Sequence, residues 1–145
     1  MSADLDSLTA RVADCMQDAT HLVYPASAIA EGLRQALAEL AGALGQPLQL
    51  SGLDGALMTS LPEGLESLAV QAAAAVVVAG RGLRHAEQVE LVPGGLSPAA
   101  LEWAGAAWKS FQSACERIRA SALREASTPW AEEGWVLDEH DGEGY

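Results

Sequence analysis

Between Ala72 and Ala79 the chain runs through four alanines, three valines and a further alanine without a polar side chain. A surface helix keeps a polar face, whereas one that is apolar nearly all round must be covered on several sides. The apolar positions Leu65, Leu68, Ala69, Ala72, Ala73, Val76, Val77 and Leu83 extend this character over several turns. The run falls short of the ~20 apolar residues needed to span a bilayer. The three valines lower helix propensity, so a strand over Val76–Val78 competes locally. The flanking alanines and the length of the pattern favour a helix. The segment therefore demands close neighbours, and that requirement points to packing and assembly before it points to catalysis.

At 145 residues the chain has the length of one domain with a real core. Half of its residues are apolar, yet they include only four Trp, two Tyr and one Phe. A core built from Leu and Ala at helical spacing follows, and the expected class is all-α. Twenty acids against eight Lys and Arg give a formal charge of −12. That balance lacks the basic patch that holds phosphates. It suits a surface past which DNA slides without sticking. No specific nucleic-acid binding and no membrane association are expected. Asp4 and Asp6 stand where a secretory signal would carry basic residues, so a soluble protein made in a cytoplasm is expected. Cys15 and Cys115 are a hundred residues apart on apolar helix positions and read as two buried thiols, with a disulfide left open.

Four helices account for residues 1–126. The first is expected over Ser2–Thr20, with Leu5, Leu8, Val12, Cys15 or Met16, and Ala19 on one face and acids in the first turn. Pro25 opens the second, whose stripe is Ile29, Leu33, Leu37, Leu40 and Leu44, ended by Gly45 and Pro47. Ser51 to Thr59, with two glycines and an aspartate, is a loop. Ser60 and Glu63 have the spacing of a capping box at the start of the third helix. Val92-Pro93-Gly94-Gly95 is a turn. Ser97 then caps a fourth helix that starts on Pro98. Its seam is Leu101, Ala104, Trp108, Phe111, Cys115, Ile118 and Ala122, in alternating steps of three and four. Trp103 lies off the seam and is a candidate equally for a partner surface and for capping a neighbouring helix of the same chain.

Beyond Ala126 the periodicity stops at Ser127-Thr128-Pro129. Residues 127–145 carry six acids and no Lys or Arg, and charge without periodicity builds no core. An extended acidic tail is expected. Trp130, Trp135 and the terminal Tyr145 are superfluous in a purely solvating tail, and they are candidate anchors for a partner.

Catalytic and metal-binding constellations are not apparent. His21, His85 and His140 are scattered. His140 between Glu139 and Asp141 is an acidic tail histidine rather than a built site. Gly80 and Gly82 lack the strand–loop–helix context of a phosphate loop. No Gly-x-Ser-x-Gly nucleophile motif occurs. Neither an enzymatic activity nor a cofactor or metal is expected.

Three segments resemble, in order, the head–tail adaptor (connector) proteins of tailed bacteriophages and of phage-derived gene-transfer particles. The first is Tyr24-Pro25-Ala26-Ser27-Ala28-Ile29 leading into Leu33-Arg34-Gln35-Ala36-Leu37. The second is Gly52-Leu53-Asp54-Gly55 with Thr59 to Glu63 and the alanine-rich helix ending at Arg84-His85-Ala86-Glu87. The third is Leu96 to Arg119, with Leu101, Trp103, Phe111 and the pair Arg117 and Arg119. The resemblance covers residues 24–120. The helix before Tyr24 and the Trp-bearing tail are not part of the family's pattern. The resemblance implies a homo-oligomeric ring of twelve copies in the virion, below the portal protein. There it continues the DNA channel and meets a tail-side stopper or terminator protein. It also implies that the tail reaches the portal. In such a ring, small residues would let neighbouring helices approach closely, so Ala72, Ala75 and Val78, with Trp103, are the candidate contacts between copies.

Two other readings remain open on the sequence. Trp103-Ala104-Gly105 is similar to the Trp-x-Gly triplet of small secreted helical hairpins of actinobacterial export systems, although there the triplet sits at a turn. A generic helical interaction protein or chaperone is the third.

Overall fold

The computed structural model describes residues 2–21, 23–87 and 98–142, with side chains described up to 81 and from 99 to 125. The expected turn at Val92–Gly95, the Ser97 cap and Tyr145 lie outside the described residues. The architecture is all-α. Four helices are present among the described residues: α1 (Leu5–Cys15), α2 (Ala26–Leu44), α3 (Glu66–Glu87) and α4 (Pro98–Gly142), with a single 3₁₀ turn at Glu63–Leu65 before α3.

α1 begins where Asp4 caps it. The Ser7 backbone N–H donates to Asp4 Oδ1 at 2.8 Å, and the Asp4 N–H donates to Ser7 Oγ at 3.1 Å. These two bonds satisfy donors that the first helical turn leaves free. The Ser7 backbone N–H first, and the Ser7 side chain second, hold the Asp4 carboxyl below its ordinary range. A depressed folded-state pKa adds stability that is present above the unfolded pKa and lost as pH falls through the folded one. Asp4→Ala is therefore expected to lower the thermal midpoint by a few degrees at neutral pH. The gap from the parent should close in acid, as followed by circular dichroism at both pH values.

α1 is shorter than the sequence pattern suggests. It ends at Cys15, because Gln17 and His21 take left-handed backbone angles (φ 57° and 55°). Cys15, the last residue of α1, and Ala19 beyond it are exposed rather than buried, and only Cys115 of the two thiols is in the core. Burial pushes the Cys115 thiol above its ordinary pKa, and Glu39 adds to this. The turn after α1 is organised by Asp18. Only 7 % exposed, its carboxylate accepts the N–H groups of Val23 and of Tyr24, the latter at 2.8 Å. Arg81 covers the Tyr24 ring, 5.6 Å from its centroid, and donates to the Val23 carbonyl.

α2 follows its predicted stripe. Ile29, Leu33, Leu37 and Leu40 are buried, and Gly45 closes the helix at φ 73°, a conformation that glycine adopts without a Cβ penalty. Pro25 occupies the N-cap position rather than the first helical one. The expected capping box at Ser60 does not form. Pro62 caps the 3₁₀ turn without a side-chain bond, and Ser60 Oγ instead accepts from the Gln49 N–H at 2.8 Å. The proline sets the extended entry, so the first α-helical residue moves to Glu66.

α3 is the central helix and packs against α1, α2 and α4. Ala69, Ala72, Ala73 and Ala74 are fully covered, with Ala75, Val77 and Val78 at 5 % exposure or less. The strand alternative at Val76–Val78 does not form. By length and composition, Glu63–Arg81 (19 residues, mean hydropathy 1.3) would suffice to cross a membrane, which corrects the expectation that the run is too short. Here its apolar faces are instead covered by the other three helices, as the small side chains require.

α4 presents Ala104, Phe111 and Cys115 to the core, with Trp108 and Ile118 partly buried beside them. The Trp108 and Phe111 rings lie 5.1 Å apart, tilted by 40°. Leu101, expected in this seam, is 42 % exposed. The backbone of α4 continues as helix to Gly142, past Pro129, where the sequence pattern places a break. Proline removes one hydrogen bond and kinks a helix, and the Ala, Glu and Leu residues around it favour helix.

Candidate interaction surfaces

The side chains expected to meet neighbouring copies separate into two groups. Ala72, Ala75 and Val78 are 0 %, 2 % and 5 % exposed. They are consumed by packing within the chain and offer no surface to a copy, which corrects their assignment to an oligomer interface. The cause is geometric: alanine lets α1, α2 and α4 approach α3 closely, so the chain's own helices occupy the sides that need covering. Trp103 is 41 % exposed on α4 and remains a surface aromatic. The backbone at Trp130 and Trp135 belongs to α4, but their side chains, like Tyr145, lie outside those described.

The described residues include no group of three His, Cys, Asp or Glu side chains that would hold a metal ion. What the described residues do present is exposed apolar surface in two places.

The first is a projection. Residues 49–60 form a tightly bonded loop: Ser60 N–H donates to the Gln49 carbonyl (2.9 Å), Ser51 N–H to Thr59 Oγ1 (3.0 Å), and Gly52 N–H to the Ala56 carbonyl (2.9 Å). Arg34 clasps both Asp54 carboxylate oxygens at 2.9 Å. The Leu5 N–H donates to the Ser51 carbonyl (2.8 Å), and Thr59 Oγ1 donates to the Ala3 carbonyl. Leu50, Leu53 and Leu61 anchor the loop's underside in the core. From this braced base Leu57 and Met58 stand out into solvent, 91 % and 75 % exposed. Burying one such side chain is worth roughly 1.5–3 kcal/mol. The loop's own hydrogen bonds hold its backbone, and that free energy is not realised in the fold as described.

The second is a groove of about 470 Å³ between α2 and α4, with α3 as its floor. Val76, Ala79 and Gly80 form the floor, Gln35 one wall, and Gly105 and Trp108 the other. It runs on past Gln35, Val76 and Gly80 into a second hollow of about 340 Å³ along the start of α2. Gly80 and Gly105 keep it open, since no side chain stands where theirs would be.

Neither surface was named from the sequence. Leu57 and Met58 fall in a segment recognised only as a loop, and the groove is made by residues from three helices that no single periodicity joins. Leu101 and Leu123 (63 % exposed) add further apolar surface on α4.

Comparison of the chain with protein-family models, with curated proteins and with solved structures finds no match in any of the three.

Proposed function

We propose that this protein is a non-catalytic structural adaptor of the head–tail junction of a tailed phage or phage-like gene-transfer particle. In this reading it forms a ring, of twelve copies, beneath the portal and continues the DNA channel towards a tail-side stopper or terminator. The observation that carries it is the combination of an acidic helical domain with exposed apolar side chains that its own core does not use, Leu101, Trp103 and Leu123 on α4 among them. Such anchors serve contacts with other proteins. The ordered resemblance of residues 24–120 to the adaptor family supplies the identity of those proteins. The charge of −12 supports a lumen through which DNA passes without counterion-releasing contacts.

The secreted-hairpin reading gains nothing from the fold, because Trp103-Ala104-Gly105 lies inside α4 rather than at a turn.

Removal of residues 127–145 is expected to leave a folded domain, with its thermal transition retained, that no longer docks on the portal encoded beside it. Co-sedimentation with purified portal rings measures this, and negative-stain images of the bound complex give the copy number. A truncated chain that still decorates portals would show that Trp130, Trp135 and Tyr145 are not the anchors. A full-length chain that ignores portals would remove the adaptor reading itself.

A further inference from the structure

We infer that the outward face of α4, from Trp103 to Arg124, is a docking surface for an acidic helix of another protein. The inference names the chemistry of a partner and stands whether or not the adaptor reading holds.

With twenty acids for eight bases in the chain, a Lys or Arg that serves the fold readily finds a carboxylate. Arg11 does so at Glu66 (3.2 Å), and Arg34 at Glu31 and Asp54. Arg81 is taken up by the Tyr24 ring and the Val23 carbonyl. α4 departs from this rule. Lys109, Arg117, Arg119 and Arg124, half of all Lys and Arg, are exposed within residues 109–124. Lys109 and Arg117 make no hydrogen bond or ion pair among the described residues. At about 100° per residue, Lys109, Arg117 and Arg124 form one stripe, opposite the Ala104, Phe111 and Cys115 that face the core. Ser113 and Ala120 lie between them on the stripe, and Glu116 stands at its edge. α4 meets α2 and α3 through its other face, so the stripe is open.

The spacing selects the partner. The three bases are eight and seven residues apart, roughly 12 and 10.5 Å at 1.5 Å per residue. Residues on one face of a second helix recur at those same intervals, so its carboxylates can meet all three. The short side chains between the bases let two helix axes approach to the usual ~8–10 Å. Trp103, 41 % exposed at the N-terminal end, supplies an aromatic contact of the kind interfaces favour. A DNA duplex fits worse: it carries one charge per ~1.7 Å, or roughly thirteen along the same length, against three bases on a chain of charge −12. That net charge also repels an acidic protein at long range. At physiological salt, however, exposed charges farther apart than about 8 Å are largely screened, and those that meet at this face are opposite in sign.

The test uses the full chain and, as probe, a synthetic alanine-based helix carrying three glutamates at the same eight- and seven-residue intervals. Backbone amide chemical shifts are followed during titration at low salt. Shifts are expected along residues 103–124, with binding that weakens as salt is added. Lys109→Gln with Arg117→Gln, both at exposed positions, should keep its circular dichroism spectrum and bind about fivefold or more weakly. Lys109→Arg with Arg117→Lys retains the charges and should bind as the parent does. The inference is overturned if α4 shows no shifts, if the glutamine variant binds as the parent does, or if a probe with glutamine in place of glutamate binds equally well. A DNA duplex that binds this face more tightly than the probe would also overturn it, as a nucleic-acid surface.

Discussion

Phe111→Ala is expected to remove about 3–5 kcal/mol of stability, a large share of the ~5–15 kcal/mol that a domain of this kind possesses. Phe111 is the sole phenylalanine of the chain and is 2 % exposed. It sits where α4 meets α2 and α3, in one buried cluster with the stripe of α2, the alanines of α3 and, beyond them, Leu8 and Val12 of α1. The neighbours around it are short. A core of alanines has few long side chains that can swing into a vacated space, so the cavity stays open and its cost adds to the lost transfer free energy. Trp108 loses its ring partner at 5.1 Å as well, and with it an aromatic contact worth about 0.5–1.5 kcal/mol beyond area. Trp108 also packs against the second buried cluster, around Tyr24 and Ala104, so the loosening should spread towards that end of the domain. Urea denaturation followed by tryptophan fluorescence measures the effect, with an unchanged m-value marking a pure stability loss. Leu123→Ala, at a 63 % exposed position of the same helix, is the control and should stay within about 0.5 kcal/mol of the parent. A Phe111→Ala midpoint close to that of the control would mean that α4 is not seated in the core as described.

Much of this fold was legible because helix periodicity is a local signal. The α2 stripe, its Gly45 stop, the Pro98 start and the burial of the Ala72–Val78 block all follow from side-chain spacing and size. What was illegible depends on contacts between segments distant in sequence. The end of α1 at Cys15 is set by left-handed residues at 17 and 21 and by Asp18 turning back to Val23 and Tyr24. A helical apolar pattern continues past that point on paper, and it puts Cys15 on the buried face, whereas Cys15 lies exposed in the last turn of α1. Leu101 obeys the spacing of its seam but stands near the start of α4 and keeps 42 % of its surface. Side-chain size shows that the small-residue block needs company, yet spacing does not reveal whether the company comes from the same chain or from another copy. The exposed loop and the groove left the weakest trace of all: exposure of Leu57 and Met58 depends on how the loop is pinned, and the groove on where three helices diverge.

The same dependence on a distant neighbour is decisive at Gly32. A Cβ added there would lie 2.8 Å from the Ala73 carbonyl oxygen and 2.9 Å from Val77 Cγ2, both inside contact distance. The valine methyl can rotate or be removed; the carbonyl belongs to the backbone of α3 and moves only if the helix moves. In a helix interior, Gly→Ala alone is worth a gain of about 1 kcal/mol from propensity. At Gly42, ten residues on in the same helix, nothing stands within 4 Å of the new Cβ, so Gly42→Ala should realise that gain. At Gly32 the overpacking cost of about 1–3 kcal/mol outweighs it, and Gly32→Ala should destabilise. Gly32→Val adds two further carbons against the same carbonyl together with the lower helix propensity of a β-branched side chain, and should cost more than 3 kcal/mol by the same overpacking argument. Val77→Ala distinguishes the two contacts. If the methyl were the obstacle, the Gly32→Ala, Val77→Ala pair would be less unstable than the sum of its parts by most of the clash. Because the closer contact is to Ala73 O, the pair should recover only a minor part, and full recovery in chemical denaturation would place the α2–α3 approach farther apart than 2.8 Å implies.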